Sequence, residues 1–306
     1  MSRGTEISDA AAETQECEVM LQRKEWRMLE VHERKDYIRA VQCLQGLPPI
    51  SSFPSVKSRF DDFQALHINL TDRIHLVGQF LPWHRRFVSV YEAKLRKKCG
   101  YQGANPYWDW TKDSKNLTTL LRSPVFNPTT GFGGGLVGTE GPVPPGPFST
   151  YTLSLGPGPI IQRHQLMRGL NASFLAYLTK AQVLNTTRQP TFESFRIELE
   201  GRPVTPDVKI HDGGHRLIGG DMADTYSSPA DPIFYLHHAN LDRIWWEWQM
   251  VDPQTRLFDI SGRTSVDPPY QNVTLDFMLD MGGVAPHVPI RKVMDIRRKP
   301  GCYVYV

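Results

Sequence analysis

The 306-residue chain lacks long apolar runs and any strong charge imbalance. No stretch approaches the roughly 18 apolar residues that a membrane-spanning helix needs. The first residues, MSRGTEISDAAAETQE, contain no apolar core of a signal peptide. The formal net charge is only +3 and the basic residues are scattered, so neither nucleic acid nor a membrane is an expected partner. Hydrophobic residues make up 40% of the chain, which is enough for a globular core.

Cysteine is also scarce, with four in the whole chain: Cys17, Cys43, Cys99 and Cys302. None stands in C-x-x-C spacing, which argues against a zinc knuckle or a thioredoxin-like site. In an oxidising compartment they can form two disulfides, and three pairings are possible. Our hypothesis pairs Cys17 with Cys43 and Cys99 with Cys302.

Sequons for N-glycosylation are frequent. Five of the eight asparagines lie in Asn-x-Ser/Thr, where about one would be expected by chance. These are Asn69, Asn116, Asn171, Asn185 and Asn272. We therefore favour a secreted protein whose signal peptide is not part of this sequence. The alternative is a cytoplasmic protein in which the sequons are coincidental.

Apolar residues recur at helical spacing in several segments. The strongest of these patterns opens with Asp231 and Pro232, which suit a helix cap and a first turn. Residues 124–163 contain 17 Gly or Pro in 40 positions, which predicts a long irregular loop that is functional or a covering flap. The predicted helices cover residues 33–46, 82–100, 165–182, 191–201 and 231–248.

Histidines fall into two triplets, one in each helical half of the chain. A lone histidine on an apolar face is more often a core residue than a ligand, but two triplets favour a metal site. The first triplet lies within 18 residues and the second within 28. The six residues are His67, His75, His84, His211, His215 and His238.

The spacing of the second triplet fits metal binding on helices. His211 and His215 are four residues apart, so they project from one helix face about one turn apart. His238 lies on the apolar stripe of the last predicted helix, whereas His237 is rotated about 100° from it. Asp242 stands one turn beyond His238, where a carboxylate can orient a ligating imidazole through its second nitrogen.

The donor set favours copper. The triplets offer only imidazole, and the H-E-x-x-H and E-x-x-H motifs are absent, which argues against a zinc protease and a ferritin-like di-iron site. Three neutral imidazoles leave an open coordination position, and nitrogen-only sites favour copper over zinc. Two such sites facing each other predict a two-electron centre with two copper ions.

Three segments closely resemble the copper-binding regions of tyrosinases and catechol oxidases, the type 3 copper proteins, and short fungal polyphenol oxidases most of all. They read DDFQALHINLTDRIHLVGQFLPWHRRFVSVYE, GANPYWDWTKD and HDGGHRLIGGDMADTYSSPADPIFYLHHANLDRIWWEWQ. The resemblance implies a mainly α fold, with a central four-helix bundle holding a dinuclear copper site among long irregular loops. In the first copper site it implies the ligands His67, His75 and His84. In the second it implies His211, His215 and His238.

The same resemblance implies one tyrosinase-type catalytic domain over residues 1–306. The first copper half would cover about 20–123, the loop 124–163, and the second copper half about 164–306. The final residues, CYVYV, resemble the tyrosine motif that closes the family's catalytic domain. We therefore expect no C-terminal shielding domain in this form.

The activity implied is oxidation of o-diphenols to o-quinones with O₂ as co-substrate, which is reduced to water. Many family members also hydroxylate monophenols, so a full tyrosinase, or an o-aminophenol oxidase, is the alternative. A haemocyanin-like O₂ carrier is the least favoured function, because carriers bury the site beneath an extra domain. The expected partners are small phenols and O₂.

The resemblance also implies roles for residues around the copper ligands. Glu200 matches a glutamate that helps to hold a water, although a solvated carboxylate at a helix end is an equal alternative. Asp212 stands where the family has Asn, and an ionised Asp accepts hydrogen bonds but donates none. Arg216 would lie at the cleft mouth and steer acidic or polar substrates, unless it is an ordinary surface arginine. Asp242 matches the family's His-His-x-x-x-Asp-Arg pattern.

Overall fold

The computed structural model describes residues 16–306, which fold mainly as α-helices. Within this range the α-helices are α1 (Val31–Gly46), α2 (Arg59–Ile74), α3 (Phe80–Cys99), α4 (Leu117–Leu121), α5 (Lys180–Thr187), α6 (Phe192–Glu200), α7 (Ile210–Ile218), α8 (Ile233–Val251), α9 (Pro253–Arg256) and α10 (Arg291–Met294). Among the described residues, no helix has both the length and the apolar character needed to cross a bilayer.

The strands are short, with two to four residues each. They are β1 (Leu21–Arg23), β2 (Leu136–Val137), β3 (Gly141–Pro142), β4 (Thr152–Leu153), β5 (His164–Gln165), β6 (Met167–Leu170), β7 (Met278–Leu279), β8 (Val288–Pro289) and β9 (Tyr303–Tyr305). β6 pairs with β2 in parallel and with β3 in antiparallel orientation, and β1 pairs with β9 in parallel.

Helices α2, α3, α7 and α8 form the bundle, and α1 packs on the outside against α2 and α3. Aromatic side chains fill its interior, where the rings of Tyr91 and Tyr235 stack with centroids 3.5 Å apart. Phe63 packs edge-on against both rings. Each such fully buried apolar side chain contributes roughly 1.5–3 kcal/mol to stability. The mainly α fold is confirmed.

Four of the predicted helices are confirmed as α1, α3, α6 and α8, with ends that differ by at most three residues. The helix predicted over residues 165–182 is wrong except for its last three residues, which begin α5. The chain there forms β5, β6 and a 3-10 helix at Ala172–Tyr177 before α5 begins. The buried guanidinium of Arg168 bonds both carboxylate oxygens of Asp231 at 2.6 and 2.8 Å, so tertiary contacts override local propensity.

The loop of residues 124–163 is irregular apart from a short 3-10 helix and the two-residue strands β2, β3 and β4. Its Phe132 stacks on Phe148 with centroids 5.7 Å apart and also packs against Trp26 at 4.9 Å. The loop therefore covers the bundle with apolar side chains, which explains how so long a segment stays ordered without regular structure.

The hypothesised disulfide pairing is wrong. The structure pairs Cys17 with Cys302, next to the β1–β9 ladder, and Cys43 with Cys99, where the last turns of α1 and α3 meet. Pairing follows which ends the fold brings together, and the Cα atoms of the two pairs are 5.5 and 5.8 Å apart. Two disulfides are consistent with a secreted protein.

Candidate metal centre

The bundle brings the six predicted histidines together as two triads. His67 lies on α2, His75 caps its end, and His84 lies on α3. His211 and His215 lie on α7, and His238 on α8. In each triad the potential ligand atoms lie within 4.8 Å of one another. The rings of His84 and His238 stack with centroids 4.5 Å apart, so the two triads face each other.

Hydrogen bonds fix the orientation of five of these rings. Each Nδ1 lies 2.7–3.0 Å from a backbone carbonyl oxygen. In the order His67, His75, His84, His211 and His215, these oxygens belong to Tyr226, Thr71, Phe80, Glu200 and Met222. An Nδ1–H that donates to a carbonyl leaves the lone pair on Nε2, the tautomer that a metal requires.

The Nε2 atoms of His215 and His238 lie 3.1 Å apart. Those of His67, His84 and His211 are buried and have no hydrogen-bond partner among the described residues. Buried nitrogens rarely remain unpaired, so these atoms fit a set of metal ligands. The all-imidazole donor set suits two copper ions.

Burial also keeps these histidines neutral. It lowers the pKa of His75 and of His215 to about 4, and the pKa of the other four lies well below the usual value. Neighbouring imidazoles lower the pKa of His67 and His84 further. A neutral imidazole is the form that binds a metal, so the triads need no proton release near pH 7.

His237 supports the centre from outside, on the face of α8 predicted to turn away from it. Its Nε2 donates to the carbonyl of His211 at 3.1 Å, and its Nδ1 accepts from Trp110 Nε1 at 3.2 Å. A Cβ on Gly214 would lie 2.2 Å from the His237 ring. Gly214 therefore lets α7 approach α8 closely enough for both helices to supply ligands.

The predicted role of Asp242 needs correcting. Its buried carboxylate does not meet His238 but lies one turn further along α8, where Arg85 donates to it. Tyr303 and Tyr305 donate to the same carboxylate at 2.5 and 2.6 Å. Backbone carbonyls orient the other ligands instead, and they carry no sequence signature.

A pocket of about 820 Å³ opens onto the centre. His75, His211 and His215 line it, together with Glu200, Asp212 and Arg216. The sequence reasoning missed Tyr226, which lines the same pocket and supplies the carbonyl for His67.

Glu200 is almost completely buried, and both of its carboxylate oxygens are engaged. Oε1 accepts from the backbone N–H of Leu76, and Oε2 accepts from Arg196, each at 2.6 Å. Leu76 directly follows His75 and has a left-handed φ of 62°. Burial raises the pKa of Glu200 above its usual value, against the opposing charge of Arg196. The alternative of a solvated helix-end carboxylate is therefore wrong.

Asp212 is placed differently. Its Oδ1 accepts from Arg216 Nε at 2.6 Å, while the buried Oδ2 has no partner among the described residues. Burial raises the pKa of Asp212, and the hydrogen bond from Arg216 opposes that rise. Arg216 is partly exposed, and its two terminal nitrogens make no hydrogen bond to the described part of the chain.

Comparison with known proteins agrees with this geometry. Residues 57–251, which include all six histidines, match the common central domain of tyrosinase. Tyrosinase-like protein phomQ1 of Diaporthe leptostromiformis is 35% identical, over 100% of this chain and 82% of its own length. N-acetyl-6-hydroxytryptophan oxidase ivoB of Emericella nidulans is 33% identical, over 98% and 96%.

The fold has a similar solved structure. A polyphenol oxidase from Thermothelomyces thermophila superposes with a TM-score of 0.85 at 35% identity, covering 94% of this chain and 89% of that one. Family, fold and paired histidine triads agree, and the chain belongs to the tyrosinase family of type 3 copper oxidoreductases.

Proposed function

We propose that the protein is a dicopper phenol oxidase that converts o-diphenols to o-quinones and reduces O₂ to water. His67, His75 and His84 would hold one copper, and His211, His215 and His238 the other. The observation that carries this proposal concerns three of these histidines. In each ring Nδ1 is hydrogen-bonded to a backbone carbonyl, while the buried Nε2 has no partner among the described residues. When bound, the two copper ions supply the electron exchange between phenol and O₂.

The reaction balances without another cofactor. Two o-diphenols each lose two electrons and two protons, and one O₂ accepts all of them to give two waters. The protein must therefore take up phenol protons next to the copper site.

We assign proton uptake to Asp212. Asp212 lines the pocket, and its buried Oδ2 has no hydrogen-bond partner among the described residues, so the carboxylate keeps one oxygen to accept the phenol proton or a water that receives it. Glu200 has both oxygens engaged, and its part is to hold Leu76 and, through it, the adjacent His75.

Arg216 supports a preference for phenols with an acidic substituent. Its terminal nitrogens are free to meet a carboxylate at the pocket, while its Nε holds Asp212. A relative of similar length is named for oxidation of N-acetyl-6-hydroxytryptophan, a phenol that carries a carboxylate.

The open pocket also bears on the alternatives. It leads to three of the six histidines, which favours a substrate-accessible enzyme over an O₂ carrier. A full tyrosinase or an o-aminophenol oxidase remains the alternative, and Asp212 is the residue on which that distinction rests. Secretion remains part of the proposal, because the two disulfides suit an oxidising compartment.

The test is O₂ uptake by copper-loaded protein with 4-tert-butylcatechol and with 4-tert-butylphenol. Rapid uptake with the catechol is expected, and no uptake with either, despite bound copper, contradicts the proposal. Uptake with both and no long lag on the phenol would show a tyrosinase. Asp212→Asn should lower kcat on the catechol by roughly 10²- to 10⁴-fold, the range usual for a lost proton acceptor. Asp267→Asn, an exposed change in the same pocket, is the matched control.

A further inference from the structure

A second pocket of about 460 Å³ adjoins the 820 Å³ pocket at the histidine triads, which is called the copper pocket below. Arg216 and Ala223 line both pockets, so the two meet at the Arg216 side chain. Glu140, Asn171 and Phe174 line the second pocket but not the first. A simple catechol would occupy only the copper pocket, which leaves this second space without a role in the proposed reaction.

The second pocket has a fixed floor. Gly219 has a φ of 69°, and a Cβ there would lie 2.4 Å from the carbonyl oxygen of Gly169. Glu140 Oε1 accepts from the backbone N–H of Gly220 at 3.1 Å, which ties the opposite wall to the same floor. Close backbone packing of this kind gives a preformed site, as ligand pockets usually are.

The groups that line the pocket select the chemistry of its occupant. Arg216 offers free guanidinium nitrogens at the junction, which suit a carboxylate. Beyond it, the half-buried ring of Phe174 offers an apolar wall, and the carboxylate of Glu140 disfavours a second negative charge. Because the lining offers both a cation and an apolar wall, its occupant should carry a carboxylate and an apolar group on one tail, as an N-acylated amino acid does.

We propose that the second pocket is a substrate subsite for phenols that carry an N-acylated amino-acid side chain. The phenol ring enters the copper pocket, the carboxylate pairs with Arg216, and the acyl group lies on Phe174. This inference rests on the proposed phenol oxidation and specifies its substrate class.

The test compares kcat/KM for three catechols in the copper-loaded enzyme. They are N-benzoyl-3,4-dihydroxyphenylalanine, the free amino acid, and 3-(3,4-dihydroxyphenyl)propanoate, which has the carboxylate alone. Burial of one aromatic acyl group should favour the first over the third by roughly tenfold. Because Asn171 belongs to a sequon, the enzyme is first treated with an endoglycosidase to keep the pocket clear.

Variants locate the effect. Phe174→Ala should abolish the preference for the benzoyl compound over 3-(3,4-dihydroxyphenyl)propanoate. Thr139→Trp, on an exposed segment that lines the same pocket, should do the same by filling it, and it tests the subsite if Phe174→Ala folds poorly. Phe258→Ala, an exposed aromatic outside both pockets, is the control.

A binding measurement separates the subsite from catalysis. N-benzoylphenylalanine has no phenol to oxidise, and its Kd from calorimetry should rise roughly tenfold in Thr139→Trp. Equal kcat/KM for all three catechols, or equal Kd in both proteins, would overturn the subsite while phenol oxidation stands. Inactivity on 4-tert-butylcatechol would instead contradict the proposed function itself.

Discussion

Replacing Asp242 with Asn tests whether this carboxylate serves the fold or the copper site. The structure ties it to Arg85, Arg23, Tyr303 and Tyr305, and to no histidine. Burial raises the pKa of Asp242, but Arg85 and Arg23 outweigh it and hold the pKa below its usual value. The substitution should therefore destabilise the fold and leave copper binding intact.

The loss of stability in Asp242→Asn depends on which interactions Arg23 and Arg85 retain. Arg23 retains an ion pair with Glu92 at 3.0 Å. Arg85 keeps Gln249 and two backbone carbonyls but no carboxylate. One buried cation is thus left without a counter-charge, which costs about 3–5 kcal/mol. For a chain of this size, that lowers Tm by roughly 5–8 °C.

The assay is thermal unfolding of Asp242→Asn beside Tyr305→Phe, with copper content measured on the same samples. Tyr305→Phe removes one hydroxyl that donates to Asp242 and should cost about 1 kcal/mol. An Asp242→Asn protein with an unchanged Tm that binds only one copper would refute the reasoning. It would restore the role that the sequence predicts for this carboxylate beside His238.

Three further predictions concern residues outside the ligand set. Gly214→Ala should lower both Tm and copper content, because its Cβ would collide with His237; calorimetry and metal analysis measure the two effects, and an unchanged protein would refute the contact. A non-reducing peptide map should recover Cys43 joined to Cys99 and Cys17 joined to Cys302, and replacing Cys43 and Cys99 by Ser should cost about 2–4 kcal/mol in urea unfolding; Cys43 linked to Cys17 or to Cys302 would contradict the fold. A hydrogen bond to Asp221 raises the pKa of His164 in the folded protein. The protonated imidazole therefore stabilises the folded state fully at a pH below the pKa of His164 in the unfolded chain. This stabilisation is lost as the pH rises through the pKa of His164 in the folded protein. His164→Gln should therefore lower the urea midpoint at about pH 5.5 but not at about pH 8.5, and an equal loss at both would exclude this linkage.

Local spacing made the histidine triads predictable. His211 and His215 lie one turn apart on α7, and His238 lies on the inward stripe of α8, as helical periodicity requires. The same periodicity predicts that His237 points away from the centre, and its ring bonds the carbonyl of His211 instead. The extent of one catalytic domain over residues 1–306 stays a prediction.

Features set by long-range contacts were not predictable from local pattern. The disulfides depend on which distant segments meet, and the segment at Arg168 pairs as a strand with β2 and β3 while its guanidinium binds Asp231. The spacing of Asp242 suits a hydrogen bond to a metal-binding histidine, but its carboxylate accepts hydrogen bonds from Tyr303 and Tyr305 instead. These long-range partners are visible only in the folded structure.

Copper content per chain tests the central claim most directly. After loading and exhaustive dialysis, the protein should hold two copper ions, and His84→Ala and His238→Ala should each retain about one. Circular dichroism should confirm that the variants are folded. A native protein with one copper or none, or folded variants that both keep two, would contradict a dinuclear site built from the two triads.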